Sequence, residues 1–360
     1  MRIKKSIAVM IALMTAMAMF TLTGCQDEEA EQPEEMIDYE IALITDEGLI
    51  SDRGTSEAVW ETIIDFGSAK GISHKYYKAT EAKPNAVADV LDNAVQKGAK
   101  VIVVEDNEIA DCVFEKQEDY KDTAFIAINA DPYDSANGDI RIRENTVAVT
   151  FAGEQAGFMA GYAAVMEGYT DLGVLTEGKT TQDHNVTLGF AKGANRAARE
   201  LGVTAHLRCA ACGEETPRID AANKAAEWYQ NGTQVIFAWG DRIEDTVIGE
   251  AETCDGKVIA GITDKGEISD TVLISAVEDI DTALKAMLTD YFDGHFKGGE
   301  IVTYGVSDDA ISLDYRNSRM QNYVKDEYDA LYDQIKSGKI KIKVDGVENV
   351  KDLDLSNIEF

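Results

Sequence analysis

Val101-Ile-Val-Val-Glu-Asp-Asn107, then a helical stretch over residues 107–117, then Ala124-Phe-Ile-Ala-Ile128 set the reading of this chain. Each apolar run is four or five residues long and unbroken, so it reads as a strand buried on both faces. A helix-length amphipathic segment joins the two runs, and the turn between the first run and the helix is polar. Two such strands joined by a helix can only lie parallel in one sheet. The same alternation runs outward in both directions. Strand-like runs occur at 39–45, 147–151, 172–175, 235–238, 258–262 and 272–277. Helical stretches occur at about 54–70, 84–97, 153–167, 184–201, 216–231, 242–253 and 279–293. Gly98, Gly202 and Gly232 stand where helices should stop. The fold class is α/β with parallel sheets.

The first 25 residues place the protein. Met1-Arg-Ile-Lys-Lys5 is basic, residues 6–20 are almost wholly apolar, and Leu22-Thr-Gly-Cys25 follows. That order is a secretory signal, too short for a spanning helix. Its Leu-Thr-Gly-Cys end resembles the lipobox of bacterial lipoproteins, which implies lipidation of Cys25. Residues 26–35 (QDEEAEQPEE) are acidic and aperiodic and read as a flexible tether. The expected location is the extracytoplasmic face of the cell membrane, lipid-anchored.

The chain carries 34 Lys+Arg against 66 Asp+Glu, a net charge of −32. Removing residues 1–24 takes away Arg2, Lys4 and Lys5 and no acid, leaving 31 against 66, or −35. Such a charge argues against nucleic acid and anionic membrane surfaces as partners. The remaining length exceeds one core and points to two lobes of ~150 residues each. Two parallel sheets joined by several crossovers make a cleft, and ligands of open parallel sheets bind beyond the carboxyl ends of the strands. The loops to search are therefore Thr45-Asp46-Glu47-Gly48, Glu105-Asp106-Asn107, Asn129-Ala130-Asp131, Thr176-Glu177-Gly178, Trp239-Gly240-Asp241-Arg242 and Thr263-Asp264-Lys265. Asp, Asn and Thr are also ordinary helix caps at such junctions. Convergence of six polar loops, one with an aromatic, is what favours a site.

Several motifs carry less than they promise. Gly173 to Thr180 fits a phosphate-loop pattern, but Gly173 lies inside the apolar run instead of after it. Cys209-Ala-Ala-Cys212 follows a strand-like run instead of opening a helix, so buried or loop thiols, or a local disulfide, are expected over redox catalysis. The four histidines are scattered, and no metal or nucleophile–base spacing appears. His184 reads as a first-turn residue, and Tyr291-Phe292 with Phe296 as core packing. No enzyme activity, cofactor or metal is expected.

The same residues resemble the basic membrane lipoproteins (BMP family, PnrA-like), the substrate-binding components of nucleoside-type ABC importers. The likeness opens at Ile41-Ala-Leu-Ile-Thr-Asp46-Glu-Gly48, Ile50-Ser-Asp52-Arg53 and Trp60-Glu61. It is strongest at Val149-Thr-Phe-Ala-Gly-Glu-Gln155-Ala-Gly157-Phe-Met-Ala-Gly161-Tyr162. It continues through Gly189-Phe-Ala-Lys-Gly193, Val235-Ile-Phe-Ala, Phe296-Lys-Gly-Gly-Glu300 and Ile335-Lys-Ser-Gly338. It implies a type I periplasmic-binding-protein fold of two Rossmann-like lobes with a hinge of crossover strands. The implied division is a signal at 1–24, a tether at 25–38, a first lobe at 39–148 plus about 278–300, a second at 149–277 plus about 301–335, and a tail at 336–360. It also implies a permease and its ATPase as partners, and a monomer.

The likeness breaks at ligand positions. Where the family has S-F-N-Q, this chain has Gly54-Thr55-Ser56-Glu57, so the stacking aromatic is missing at Thr55 and the amide at Ser56. A basic residue that would meet ribose hydroxyls falls on Glu278, and the family's V-D-S-D-Q loop keeps only Asp264. An ordinary purine nucleoside held in the family's usual manner is not expected. Glu278, if it faces the cleft, would favour a cationic or donor-rich ligand. Trp239 is a candidate replacement for the stacking face. The expected ligand-binding residues are Asp46, Asp52, Thr55, Asp106, Asn107, Asp131, Trp239, Asp264 and Glu278. The leading reading is a transport receptor for a small polar solute, with nucleosides among the candidates. A sensory or surface lipoprotein of the same fold is the alternative. An extracellular hydrolase is third, for want of a nucleophile–base pair.

Overall fold

The computed structural model describes residues 39–45, 50, 54–80, 84–105, 107–130, 132, 138–178, 180–213 and 216–360, without the side chains of residues 84, 107 and 108. The chain first lays down β1 (Ile41–Thr45), α1 (Thr55–Lys70), β2 (His74–Lys78), α2 (Pro84–Gln96), β3 (Val101–Glu105), α3 (Asn107–Asp119), β4 (Ala124–Ile128) and β5 (Thr146–Phe151). It then crosses over and builds α4 (Gly153–Glu167), β6 (Asp171–Thr176), α5 (Thr181–Leu201), β7 (Ala205–Ala211), α6 (Pro217–Gln230), β8 (Val235–Trp239), α7 (Glu244–Cys254), β9 (Lys257–Ile262) and β10 (Val272–Glu278). It returns through α8 (Ile280–Phe292) and β11 (Glu300–Tyr304), and finishes with β12 (Ile311–Asp314), α9 (Lys325–Lys336) and β13 (Ile358–Glu359).

Two sheets result. The first has the order β11-β5-β4-β3-β1-β2 and is parallel throughout. The second has the order β12-β10-β9-β8-β6-β7-β13, with β12 alone antiparallel to its neighbour. The strands β1, β3, β4 and β8 are buried at every residue. This is why they read as unbroken apolar runs: helices cover both faces of a parallel sheet. Helix α8 belongs with the first sheet, where Phe292 meets Phe66 of α1 at 5.9 Å between ring centroids.

Three strand ends differ from the divisions the sequence suggested. The first-lobe boundary at 148 falls inside β5, which stays in the first sheet to Phe151. The boundary at 300 falls at the start of β11, which also belongs to the first sheet, to Tyr304. The segment expected as a separate tail closes the second sheet instead, because β13 pairs with β7. The sheets therefore exchange chain near residues 152, 279 and 305. These crossings are tied to each other: Ala152 N–H donates to Tyr304 O and Asp279 N–H to Ala310 O, both at 2.8 Å. Gln155 Oε1 adds a bond from Val306 N–H at 2.8 Å.

The second lobe is braced by an unusually close pair of helices. A Cβ on Gly157 of α4 would lie 2.1 Å from the Val186 carbonyl oxygen of α5, and one on Gly161 2.2 Å from that of Phe190. From the other side, Gly189 and Gly193 would clash at 2.1 and 2.0 Å with the carbonyls of Glu154 and Phe158. No residue with a side chain fits at these four positions. The glycines of the Gln155-to-Tyr162 motif thus serve helix packing.

Candidate functional site

The carboxyl ends of both sheets face a small pocket between the lobes. The first lobe contributes Thr55, Glu105 and Asn129; the second contributes Glu177, Gln182, Asp183, Trp239 and Asp241. The cavity holds about 100 Å³. A water occupies about 30 Å³ of liquid, so there is room for a group of three or four heavy atoms.

Local structure explains how these side chains arrive. Helix α1 starts after Gly54 with no side-chain cap, so its first N–H groups need partners from elsewhere. Thr55 N–H finds one across the cleft in Asp241 Oδ2, at 3.2 Å. A carboxylate at a helix N-terminus also meets the positive end of the helix dipole. Ser56 Oγ donates to Glu105 Oε1 within the first lobe. Helix α5 begins with a full capping box: Thr180 and Asp183 exchange bonds at 3.1 and 2.9 Å. This fixes the turn that carries Gln182, between the two, toward the cleft. There its Nε2 donates to Glu278 Oε1, while Asn129 Nδ2, from the other lobe, donates to Oε2 of the same carboxyl.

Two residues at the strand ends hold backbone conformations that ordinary side chains avoid. Asn129, after β4, has φ 52°, and Ile262, at the end of β9, has φ 61°. Asn tolerates the left-handed region, but a β-branched residue there is a true outlier. Ile262 is the centre of a tight γ-turn, closed by Thr263 N–H to Gly261 O at 2.7 Å. Both residues line the cavity, and strain of this kind concentrates at ligand sites.

The electrostatics are one-sided. Asp241, Glu244 and Glu278 all carry carboxyls raised above their ordinary range, in each case first by burial. For Glu278 the value reaches about 8, with the charges of Asp241 and Asp183 adding to the burial. Glu244 is fully buried and accepts from Gly261 N–H at 2.9 Å, yet its Oε2 has no partner. Lys265, 2% exposed, draws both Asp241 and Glu244 back toward ionisation. Arg242 is held by Glu177 through its backbone N–H at 2.9 Å and its Nε at 3.0 Å. Asp241 Oδ1 and Asn129 Oδ1 are buried without a partner.

Of the residues expected from sequence, Thr55 and Trp239 line the cavity, and Glu278 borders it through its two amide partners. Trp239 is 2% exposed, stands edge-on to Phe237 at 5.8 Å, and covers Gly261 so closely that a Cβ there would lie 2.4 Å from the indole. Asp264 lines an open trench beside the cavity. Both its oxygens are occupied, by Gly266 N–H, Ser275 Oγ and Asn317 Nδ2. Asp46, Asp52, Asp106, Asp131, the Asn107 side chain and Cys25 lie outside the described residues. The sequence search passed over Gln182; His184, read as a first-turn residue, bonds Val347 O through its ring at 2.7 Å. Asn129, Glu105, Glu177 and Asp241 stood in the loops singled out and were not selected within them. Cys209 and Cys212 are free thiols. Burial raises them to about 12 and about 11, which suits neither a nucleophile nor a redox pair.

A larger space of about 640 Å³ lies on the second lobe alone, between α5, β7 and the C-terminal segment. Its walls come from one lobe, so lobe closure does not enclose it. Among the described residues no helix is long and apolar enough to cross a membrane.

Comparison with known proteins agrees with this architecture. Residues 40–346 match the family model Bmp, described as ABC transporter substrate-binding protein PnrA-like. The chain is 23% identical over 367 aligned positions to the ABC transporter nucleoside-binding protein BmpA of Lactococcus lactis, covering 94% of this chain and 99% of that protein. Among solved structures it resembles a solute-binding protein of an ABC transporter system from Aeropyrum pernix (TM-score 0.71, 14% identity, 88% of this chain and 99% of that one). It also resembles a transcriptional activator of the comK gene from Bacillus halodurans (TM-score 0.66, 18% identity, 84% and 98%). The fold is that of the type I periplasmic solute-binding proteins. With the family model spanning most of its length, the chain belongs to the Bmp family of PnrA-like ABC transporter substrate-binding proteins.

Proposed function

We propose that this protein is the extracytoplasmic, lipid-anchored receptor of an ABC importer and holds a small polar solute between its lobes. The observation that carries this is the small cavity at the strand ends, bridged across the lobes by Thr55–Asp241 and Asn129–Glu278. Such bonds are made only when the lobes are together, so a solute seated there and closure stabilise each other. The loops carrying Asp46, Asp52, Asp106, Asn107 and Asp131 are proposed to complete the wall. Nucleosides are a candidate class because the Lactococcus relative is described as nucleoside-binding. A purine nucleoside held by a ring at the start of α1 is not proposed, since that turn offers Thr55 and Ser56, and Ser56 already serves Glu105.

The test is mass spectrometry of small molecules released from the purified, denatured protein, followed by thermal shift with what is found. A ligand at a hundredfold excess over Kd adds about 2.7 kcal/mol of stability. An empty protein that no nucleoside, base, sugar or amino acid stabilises would defeat the transport reading. Anchoring is tested separately: Cys25→Ala should lose lipid labelling and leave the membrane fraction.

A further inference from the structure

We propose that the solute carries a positively charged amine or guanidine group, seated in the interlobe cavity against Asp241 and beside Trp239. This rests on the cavity being the ligand site, and it narrows the class of ligand.

The cavity has more acceptors than the protein can satisfy. Asp241 Oδ1 and Asn129 Oδ1 are buried on its wall with no donor among the described residues, and a buried acceptor left unpaired is costly. A neutral hydroxyl or amide could meet that need. The charges decide against it. Among the described ionisable groups lining the cavity, four are acids, namely Glu105, Glu177, Asp183 and Asp241, and one is a base, Arg242, which Glu177 holds. Behind Asp241, the buried Lys265 lies 3.5 Å from Asp245 Oδ1 and also draws Asp241 and Glu244 toward ionisation, so this one base serves three acids. A cation arriving at Asp241 Oδ1 removes the imbalance and supplies the missing donor in one step, through a charge-assisted bond about twice as strong as a neutral one. Trp239 on the same wall presents the aromatic type that cations favour most.

The approach is built alike. The trench outside, between α1 and the second lobe, is lined by Glu57, Glu61, Asp264 and Glu267, with no base among the described residues. In its wider part the basic residues are Arg316 and Lys325, bound to Asp314 and Asp329. An acid-lined cleft raises the local concentration of cations and excludes anions. The cavity's volume suits an ammonium or a guanidinium, and the rest of the solute is placed along the trench.

Titration calorimetry on the purified protein, with putrescine, agmatine and L-arginine against uridine, adenosine and ribose, tests this. Runs at pH 7 in buffers of different ionisation heat count the protons released. The expected result is that one of the three cations binds and releases protons, because it drives ionisation of Glu278, which burial holds at about 8. Asp241→Asn should weaken that binding about tenfold to a hundredfold. The proton count is read on the unaltered protein, so it stands even if the variant fails to fold. Three results would overturn the proposal. One is a cation that binds without proton release and equally to Asp241→Asn. Another is tight binding of a neutral solute and of none of the cations, which would leave the solute-binding reading intact. The last is no binding of either class by a protein that also releases no small molecule, which would end both.

Discussion

Replacing Glu278 by Gln should change how stability depends on pH, by an amount the structure fixes. The carboxyl is 6% exposed, accepts from Asn129 and Gln182, and faces the charges of Asp241 and Asp183. Burial above all moves it from an ordinary 4.5 to about 8. At about 1.4 kcal/mol per tenfold change in proton affinity, the ionised form is on the order of 5 kcal/mol worse in the folded chain than in the unfolded one. The sign follows from where the proton binds more tightly. Below pH 4.5 both states are protonated and the contribution is intact. Between 4.5 and about 8 the unfolded chain ionises while the folded one does not, so stability drains as pH rises. Above about 8 both are ionised and the loss levels off. Gln has nearly the same shape and cannot ionise. Urea unfolding of ligand-free wild type and Glu278→Gln at pH 5, 6.5 and 8 should therefore show similar stability at pH 5 and a variant more stable by several kcal/mol at pH 8. The difference between the two proteins cancels every other titrating group. A difference that stays constant across the three pH values would refute the burial argument.

The glycine seam predicts a contrast between two Gly→Ala changes. Gly161→Ala must move α4 from α5 by roughly 1 Å to clear the Phe190 carbonyl and should cost about 1–3 kcal/mol or more, whereas Gly249→Ala on the exposed face of α7, with nothing nearby, should stabilise by about 0.5–1 kcal/mol. Denaturant midpoints check both, and equal effects would sink the seam. Cys209 and Cys212, held up to about 12 and about 11 by burial, should be alkylated by iodoacetamide at pH 8 at least about a hundredfold more slowly than in urea. Equal rates would mean the thiols are open to solvent.

The sequence disclosed those parts of the fold whose burial is two-sided. Strands β1, β3, β4 and β8 are apolar at nearly every position because helices cover both faces. Strands β2 (HKYYK) and β11 (EIVTY) stand at the edges of the first sheet and are largely exposed, so no apolar run marks them. The two residues of β13 are too short to leave any pattern. Helix α9, KDEYDALYDQIK, buries only Tyr328, Leu331 and Ile335 and was not picked out. At the site, the rule that ligands lie beyond strand ends found the right loops. It did not rank residues within them, since a capping Asp and a ligand-facing Asp look alike in sequence. Gln182 was missed because its place depends on the capping box of Thr180 and Asp183 that brackets it. The partnerless state of Asp241 Oδ1 depends on closure of two lobes, which no local pattern records.

Four glycines where no side chain fits also bear on how such a receptor could diversify. Mutations at Gly157, Gly161, Gly189 and Gly193 are costly because of backbone contact, whatever solute is carried. Thr55, Asp241 and Glu278 sit instead at helix starts and strand ends, away from that seam, and of the cleft residues Gln182 alone also packs between the two helices, against Gly153. The letters that specify the scaffold and the letters that specify the cargo are thus almost disjoint. A lineage can rewrite the second set one residue at a time, passing through weak or promiscuous binders, without losing a folded protein on the way.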